Sequence, residues 1–502
     1  MVSGSLLSIG VNTGNSLDAA DVVLTKFEPD GSIVDLDALS APMPEGLANC
    51  LRLLRAAVVD CSGDMQAALK CYERRVVDTT LTVRSAAELI KEYTLYVARA
   101  VKELIEHAEL KSGRKLRIDL IGFHGQTCAH QPPSIAKDAK ASYTVQIGDG
   151  QLLANETGIT VVFDFRSDDL MNGGEAAPLA PIHHEHLAQH LKSQGKFPIA
   201  FCNAGNTGNI SVITGHTEGS VTVMGWDVGP FNDYPDKLVQ SERNSACDFA
   251  GAIGAQGKVN NDLLQLLFDK GAVTENGTNY LLQAPPKSSD PQWYRLLPEL
   301  CGKAAVGTGL LSFEDRIRTA EYFAAYVYYY SLKWIPPELM IPTCFALCGG
   351  GWNNPVSRTH FEQLLRGDFT NNPVLPEHRE LFVQIFERLQ GAAGDSIEIA
   401  MSDEFGFSGQ YMEARLFADA AVCRVTGNSF SYPKTSGCRT PTVLGIIRYP
   451  HGKPELASEN LQRYLTQYRS AELTLDEPHI FDGRWSRASR DWHIRIAQVA
   501  KR

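Results

Sequence analysis

The chain lacks the cysteine and histidine spacings of a disulfide framework or a structural zinc site. It has 11 cysteines, an odd number, and no Cys-x-x-Cys pair occurs in it. No Cys/His cluster at zinc spacing is present either, so the thiols are expected to be reduced and mostly buried. His183 and His184 are sequence neighbours and therefore poorly placed for joint ligation from one helix face.

Long apolar runs and an excess of basic residues are also missing. No stretch reaches the roughly 18 apolar residues of a membrane span, and the first residues carry no basic segment of an export signal. The net charge of -11 argues against nucleic acid as the main partner, because such binders concentrate Lys and Arg. We expect a cytoplasmic protein without a membrane or nucleic-acid partner, and we interpret the basic segment 484–502 as a solvated helix face.

Apolar segments alternate with polar or glycine-rich loops along the chain. At 502 residues it exceeds the roughly 250 to 300 residues of a single core, so two lobes are expected. Helical patterns followed by apolar strand patterns predict an α/β fold. Four strand patterns end in such loops, namely 118–123, 159–165, 198–203 and 340–348. Because open α/β sheets bind ligands at the carboxyl ends of their strands, these loops predict one composite site.

Two of the loops have the composition of phosphate-binding turns. The first offers backbone and side-chain donors for phosphate and a carboxylate for hydrated Mg²⁺, from Thr13, Gly14, Asn15, Ser16 and Asp18. The second offers a further phosphate cradle, from Asn203, Gly205 and Asn209. The same residue types are typical of plain hairpin turns, so composition alone leaves both interpretations open.

Two other segments supply a carboxylate and a run of glycines. Asp227 lies between an apolar residue and the turn at Gly229, which suits a partly buried general base with a raised pKa; an Asx turn is the alternative. A glycine triplet leaves room for a ribose or a flat ring, and consists of Gly349, Gly350 and Gly351. Asn353 or Asn354 is placed to cap the following helix and to contact the same ligand.

Three polar residues complete the set of candidates. Arg166 is able to pair with a sugar carboxylate, and Glu413 is able to share a metal ion. His124 is expected to hydrogen-bond a sugar or the backbone, because no Gly-x-Ser-x-Gly elbow supports a hydrolase.

The order and spacing of these segments resemble the anhydro-N-acetylmuramic acid kinase family, which includes levoglucosan kinase. The matching segments are 13–19, 123–127, 146–149, 157–166, 173–179, 226–232, 285–289, 348–355, 413–418 and 441–445. The resemblance implies the two-lobed actin, hexokinase and Hsp70-type fold, with ATP and Mg²⁺ in a central interlobe cleft, and a homodimer. The expected lobes, both ribonuclease H-like, are 1–165 with about 432–502, and 166–431.

The resemblance also assigns roles. It implies that Asp227 is the catalytic base and that Asp18 and Glu413 are the metal-side carboxylates. The implied sugar contacts are His124, Gln126, Arg166 and Glu413. The implied ATP contacts are the donors of the two phosphate loops together with Gly229, the glycine triplet and Asn354.

Together these features predict an ATP-dependent kinase that opens and 6-phosphorylates a 1,6-anhydro sugar. We favour 1,6-anhydro-N-acetylmuramic acid, a substrate of peptidoglycan recycling, because its lactyl carboxylate has a partner in Arg166. The alternatives are levoglucosan kinase, a kinase acting on a free sugar hydroxyl, and a pseudokinase. The pseudokinase hypothesis depends on Asn206 and Phe231, which replace family glycines and could obstruct a phosphate.

Overall fold

The structure, a computed structural model, describes residues 4–77, 83, 85–136, 142–216, 221–243, 245–274, 277–289, 294–394 and 396–468. Its contacts divide the chain into two units. Unit 1 comprises Met1–Pro133, Asp138–Leu187 and Tyr411–Arg502, and unit 2 comprises Ser134–Lys137 and Ala188–Gln410. This division places 166–187 and 411–431 in unit 1, whereas the sequence-based division places them in the second lobe. The basic segment 484–502 lies outside the described residues.

Unit 1 contains a six-stranded mixed sheet. Its strands are β1 (Leu6–Thr13), β2 (Ala19–Phe27), β3 (Ile33–Pro42), β4 (Leu120–Phe123), β7 (Thr160–Phe163) and β13 (Ile446–Arg448). They lie in the order β13-β7-β4-β1-β2-β3. The first three strands are antiparallel neighbours, whereas β4 and β7 run parallel to β1. A separate hairpin pairs β5 (Gln126–Gln131) with β6 (Tyr143–Ile147).

Unit 1 has eight α-helices in its described part, and the first four of them contribute with the sheet to one apolar core. They are α1 (Glu45–Asp60), α2 (Met65–Val77), α3 (Ala86–Ser112), α4 (Gly150–Thr157), α5 (Ser167–Met171), α12 (Met412–Thr426), α13 (Pro433–Ser436) and α14 (Glu459–Tyr468). α6 (Ala180–Lys192) begins in unit 1 and ends in unit 2. The start of α3 shows how the sequence sets a boundary, since Ser85 and Glu88 form a reciprocal capping box.

Unit 2 contains a five-stranded mixed sheet. Its strands are β8 (Ile199–Ala204), β9 (Thr207–Gly215), β10 (Val221–Pro230), β11 (Cys344–Cys348) and β12 (Glu398–Met401), in the order β10-β9-β8-β11-β12. Its helices are α7 (Asp233–Arg243), α8 (Asn261–Leu266), α9 (Phe313–Ser331), α10 (Pro355–Leu365) and α11 (Arg379–Ala393). α9 is buried along almost its whole length and packs five tyrosine rings into the core of this unit.

The two sheets repeat one topology. In each, three consecutive antiparallel strands are followed by two strands that run parallel to the first, on its other side. The extra strand β13 adds an antiparallel edge to unit 1. The predicted α/β class, with two like domains of the actin, hexokinase and Hsp70-type fold, is confirmed.

α12 lies directly on the central strands of unit 1. A Cβ atom at Gly10 in β1 would lie 1.8 Å from the Ala414 carbonyl oxygen, and one at Gly122 in β4 would lie 1.9 Å from that of Phe417. Glycine at both positions is therefore a condition for the close approach of this helix to the sheet. The Ser8 hydroxyl also donates to the Ala418 carbonyl oxygen at 3.1 Å.

Within the part of the chain that the structure describes, no helix is both long and apolar enough to cross a membrane.

Replacing Gly10 with alanine tests the role of this close approach. We expect Gly10→Ala to lower the free energy of unfolding by about 1–3 kcal/mol, because the new methyl group must displace helix backbone rather than a flexible side chain. Thermal unfolding followed by circular dichroism measures the effect. Gly46→Ala is the control, since Gly46 lies in α1 with no atom within 4 Å of the added Cβ. Equal melting temperatures for the two variants would contradict the prediction.

Candidate active site

The candidate residues of unit 1 lie at one edge of its sheet. β1, β4 and β7 are parallel, so their carboxyl ends meet at the same edge. The phosphate-loop candidates follow β1, His124 follows β4, and Arg166 follows β7 after a short turn. The structure thus places the loops after these three strands at one edge of the unit 1 sheet.

His124 and Arg166 are in direct contact. Arg166 donates from Nε to His124 Nε2 at 2.9 Å, and from Nη1 to the Ala176 carbonyl oxygen at 2.7 Å. The imidazole stacks on the Phe417 ring of α12, with 4.3 Å between centroids. Because Nε2 accepts a hydrogen bond, the ring proton lies on Nδ1.

The electrostatics keep His124 neutral. Burial, reinforced by the charge of Arg166, holds the pKa of His124 well below its ordinary value. Its buried Nδ1 has no hydrogen-bond partner among the described residues. A cavity of about 10 Å³, roughly the space for one water, is lined by this histidine together with Gln146 and Asp164. His124 is therefore a neutral side chain with an unused N–H, and it lines a small cavity.

Gln126 begins β5 and is almost fully buried. Its Nε2 donates to the Thr127 carbonyl oxygen at 3.2 Å. Its Oε1 is buried and accepts no hydrogen bond within the described ranges. An orphaned amide oxygen in this loop suits recognition of a hydroxyl or N–H group of a ligand.

The two proposed metal-side carboxylates are both exposed. Glu413, in the first turn of α12, accepts from Asn12 Nδ2 at 2.7 Å. Asp18 accepts from the Ser16 hydroxyl at 2.5 Å and from the Ala19 amide at 3.0 Å. Each carboxylate is thus oriented by a hydrogen bond while remaining open to solvent.

The first phosphate loop is braced by groups that the sequence did not identify. The Thr13 hydroxyl is buried and hydrogen-bonded to the Tyr93 hydroxyl at 2.8 Å, whereas Asn15 and Ser16 are exposed. Arg55 of α1 donates to the Asn15 carbonyl oxygen at 2.9 Å. The guanidinium group of Arg55 therefore adds positive charge beside this loop.

The candidate residues of unit 2 also share one sheet edge. β8 and β11 are parallel, and β9 pairs antiparallel with both β8 and β10, so the relevant strand ends coincide. In this register Asn209 lies opposite Asn203 on one side and opposite Asp227 on the other. Gly205 lies in the turn between β8 and β9, and Gly349 directly follows β11.

Asp227 is a buried carboxylate held by the segment 285–289. Its Oδ2 accepts from the Ser288 hydroxyl at 2.9 Å and from the Ser289 amide at 2.8 Å. Its own amide donates to the Lys287 carbonyl oxygen at 3.2 Å. Two donors on one oxygen favour the ionised carboxylate and fix its orientation, which are conditions for a general base.

Lys287 is a site residue to which the sequence assigned no role, although its segment was part of the resemblance. Its buried ammonium donates to the Tyr280 carbonyl oxygen at 3.0 Å and lies 4.3 Å from the centroid of that ring. Burial lowers the pKa of Lys287 to about 7, although Asp227 opposes the shift. The Tyr280 hydroxyl donates to the Asp227 carbonyl oxygen at 3.0 Å, so the same tyrosine braces both residues.

The site glycines fall into two groups. Gly229 and Gly349 have φ angles of +150° and +86°, and a Cβ at Gly351 would lie 2.7 Å from the Phe231 ring, so the fold itself requires these glycines. By contrast, Gly350 has no atom within 4 Å of an added Cβ. Two more site glycines have no atom closer than 3.5 Å to an added Cβ, namely Gly14 and Gly205. The space in front of these last three is open to a ligand.

Of the two residues that suggested an obstructed phosphate site, Phe231 lies in the core of unit 2, whereas Asn206 is exposed in the turn between β8 and β9. Phe231 is buried against Trp352 and Tyr328, with ring centroids 4.7 Å and 5.6 Å away. Trp352 is fully buried and donates from Nε1 to the Cys202 carbonyl oxygen at 2.7 Å. The Phe231 amide donates a hydrogen bond to the Asn206 carbonyl oxygen at 2.8 Å.

Asn354 caps α10 as predicted. Its side-chain oxygen accepts from the Val356 amide at 2.9 Å, and its Nδ2 donates to Glu321 Oε1 at 2.6 Å. Both ends of the amide are therefore engaged by the protein, and a ligand contact from this residue remains a proposal.

The chain is similar to kinases of one family. The family model for anhydro-N-acetylmuramic acid kinase matches residues 6–371. Kinases of that name from Zymomonas mobilis and Methylorubrum extorquens are each 30% identical to the chain; both alignments cover 88% of it and, respectively, 100% and 99% of those proteins.

Among solved structures, a hexokinase from Schistosoma mansoni complexed with glucose is 12% identical, with a TM-score of 0.28 and coverage of 83% of this chain and 85% of that one. A gluconate kinase from Lactobacillus acidophilus is 10% identical, with a TM-score of 0.33 and coverage of 94% and 98%. Similarity at this level carries no argument about the chain.

The family and its curated relatives define the chain as a phosphotransferase that acts on a sugar hydroxyl. It belongs to the anhydro-N-acetylmuramic acid kinase family, because the family model matches well over half of its length. The relatives support neither levoglucosan kinase nor a pseudokinase.

The buried histidines of unit 1 predict a pH dependence of stability. Burial, with a smaller contribution from Arg166, lowers the pKa of His130 to about 3. The unfolded chain binds a proton at His130 near pH 6.5 and the native state does not, so stability falls as the pH drops below about 6.5. This residue alone costs roughly 2 kcal/mol at about pH 5.

Melting temperatures between about pH 7.5 and pH 5 test this prediction. We expect His130→Gln to reduce the loss of stability on acidification, whereas replacement of the exposed His190 by Gln leaves the pH slope unchanged. A pH slope for His130→Gln equal to that of the wild-type chain would show that His130 is not the group responsible.

Proposed function

We propose that the protein uses ATP and water to open 1,6-anhydro-N-acetylmuramic acid and to phosphorylate it at the 6-oxygen. The observation that carries the proposal is Asp227, a buried carboxylate held by two donors at the sheet edge of unit 2, in a chain of this kinase family. Arg166 supports the choice of sugar, because the lactyl carboxylate of this substrate needs a cationic partner.

In the proposed reaction Asp227 takes a proton from the water that attacks the anomeric carbon. The bond between that carbon and the bridging oxygen breaks, and this oxygen forms a bond to the γ-phosphoryl group as ADP leaves. Ser288 and Ser289 hold the carboxylate in place during the proton transfer. We assign Gln126, Arg166 and neutral His124 to the sugar, with His124 donating through Nδ1.

The residues present fit ATP and Mg²⁺. Gly14, Gly205 and Gly350 have room for phosphate or nucleotide in front of their backbone, and none of them needs to be glycine for the fold. A hydrated Mg²⁺ usually binds to a protein through one or two carboxylates. Asp18 and Glu413 are two exposed carboxylates, and we assign the metal to them. Mg²⁺ offsets negative charge on the phosphates when bound. Peptidoglycan recycling, a homodimer and a cytoplasmic location stay predictions from the sequence.

Asp227→Asn tests the assignment of the base. We expect kcat for ADP release with 1,6-anhydro-N-acetylmuramic acid to fall by about a hundred- to ten-thousand-fold, because the amide cannot accept the proton. Binding of ATP and the melting temperature should change little. In heavy-oxygen water the wild-type product should carry the label on the anomeric carbon.

Other outcomes separate the alternatives. ADP release with levoglucosan but not with the muramic acid sugar would reject the proposed substrate. Label-free product from a non-anhydro sugar would indicate an ordinary hydroxyl kinase. Unchanged turnover in Asp227→Asn would reject this residue as the base.

Gly350→Ala tests the open glycines as nucleotide contacts. If a nucleotide approaches the backbone there, the added methyl group should raise KM for ATP about tenfold or more, a cost of roughly 1.4 kcal/mol, without lowering the melting temperature. Steady-state kinetics at saturating sugar measures it. Gly309→Ala is a matched control in unit 2, because its added Cβ also meets nothing within 4 Å. A KM for ATP equal to that of the control would place the nucleotide elsewhere.

A further inference from the structure

Four metal-ligating side chains meet where α6 faces α12 in unit 1, and none of them is assigned to the reaction. His183 and His186 are three positions apart on α6, and Asp419 and Cys423 are four positions apart on α12. Both spacings place a pair of side chains on one helix face. The sequence had pointed only to the adjacent pair His183 and His184, and thus missed a cluster that two helices build.

Asp419 is the centre of the cluster. His183 Nδ1 and His186 Nδ1 each lie 2.8 Å from its Oδ2, and Cys423 Sγ lies 3.8 Å from its Oδ1. Asp419, His183 and Cys423 are buried, whereas the His186 side chain is 28% exposed. Solvent therefore reaches the cluster at His186.

The dimensions suit a small divalent ion. The ligand atoms of His186, Asp419 and Cys423 all lie within 4.8 Å of one another. Tetrahedral zinc binds nitrogen and oxygen at about 2.0–2.2 Å and sulfur at about 2.3 Å, so its ligand atoms are separated by roughly 3.3–3.6 Å. The separation of 2.8 Å between His186 Nδ1 and Asp419 Oδ2 lies just below this range, and that of 3.8 Å between Cys423 Sγ and Asp419 Oδ1 lies just above it.

We propose that His186, Asp419 and Cys423 form a zinc site, with His183 as a positioning residue that holds the Asp419 carboxylate and with water as the fourth ligand. One imidazole, one carboxylate and one thiolate make a borderline donor set, which favours zinc over Mg²⁺ or Ca²⁺. The two anionic ligands balance the charge of the ion in a largely buried place. On binding, the Cys423 thiol releases its proton to solvent, and the His186 proton moves from Nδ1 to Nε2.

The neighbouring positive charge on α12 is paired with a carboxylate outside the cluster. Arg415, one turn before Asp419 on α12, directs its guanidinium to Asp35, with Nε 2.9 Å from the nearer carboxylate oxygen. His183 Nε2 is buried without a hydrogen-bond partner in the described ranges, so Nδ1 is its engaged donor towards Asp419. A zinc ion at this place would join α6 to the helix that also carries Glu413, and would stabilise unit 1 by binding its native state.

Metal analysis of the purified full-length chain tests the site. After removal of loosely bound metal by dialysis, we expect one equivalent of Zn²⁺ per chain by elemental mass spectrometry. Substitution with Co²⁺ should give visible bands of a tetrahedral ion and a thiolate-to-cobalt charge-transfer band. Cys423→Ser should abolish the charge-transfer band, and His186→Gln the stoichiometric binding. His183→Asn should weaken Zn²⁺ binding by about 10- to 100-fold, since it removes a group that orients a ligand.

Matched variants keep the test independent of folding. Cys71→Ser and His190→Gln remove a thiol and an imidazole elsewhere, and both should bind Zn²⁺ like the wild-type chain. Zn²⁺ should raise the melting temperature of the wild-type chain but not that of Cys423→Ser. The proposal is overturned if the wild-type chain retains no Zn²⁺ or Co²⁺, or if folded Cys423→Ser binds both ions as the wild-type chain does. Failure here leaves the proposed kinase function intact, because the assay measures metal and not turnover.

Discussion

The close contact of α12 with β1 and β4 is the constraint on which the candidate residues of unit 1 depend. With 1.8 Å and 1.9 Å between an added Cβ and helix carbonyl oxygens, only glycine at Gly10 and Gly122 lets the helix lie this low on the sheet. The first turn of the helix then brings Glu413 to Asn12, and its next turn brings Phe417 under His124. One packing contact therefore fixes a proposed metal-side carboxylate and a proposed sugar contact.

The same helix also connects the candidate active site to the cluster around Asp419. Glu413 lies in its first turn, and Asp419 and Cys423 lie on a face that meets α6. A buried carboxylate is costly unless it is paired, and here two histidines pair with it. The position of α12 thus determines which of its side chains the candidate active site presents to a ligand. It also determines how the other end of the helix is held in the core.

In unit 2 the strand register determines which candidate residues lie next to one another. Asn209 lies between Asn203 and Asp227 because β9 pairs with both neighbouring strands, and the bulge after Asp227 lets β10 continue to Gly229. The segment 285–289 then fixes the carboxylate from outside the sheet. Phe231 fills the core below this edge, so its replacement of a family glycine does not by itself obstruct the loop.

Much of this could be predicted from local sequence. Apolar runs ending in polar loops indicated β4, β7, β8 and β11, because burial of a strand leaves a pattern in the sequence. The capping role of Asn354 was predictable for the same reason, since a cap acts on its own helix.

The sequence by itself determined the elements, the loops that carry polar side chains, and the family, because these depend on neighbours along the chain. Only the tertiary structure decided which side chains touch. Lys287 lies near Asp227, 60 positions away in the sequence. Arg166 donates to His124 across 42 positions, and His186 contacts Asp419 across 233 positions. Such contacts leave no periodic signal, since they arise when separate elements pack together and burial makes each polar atom find a partner.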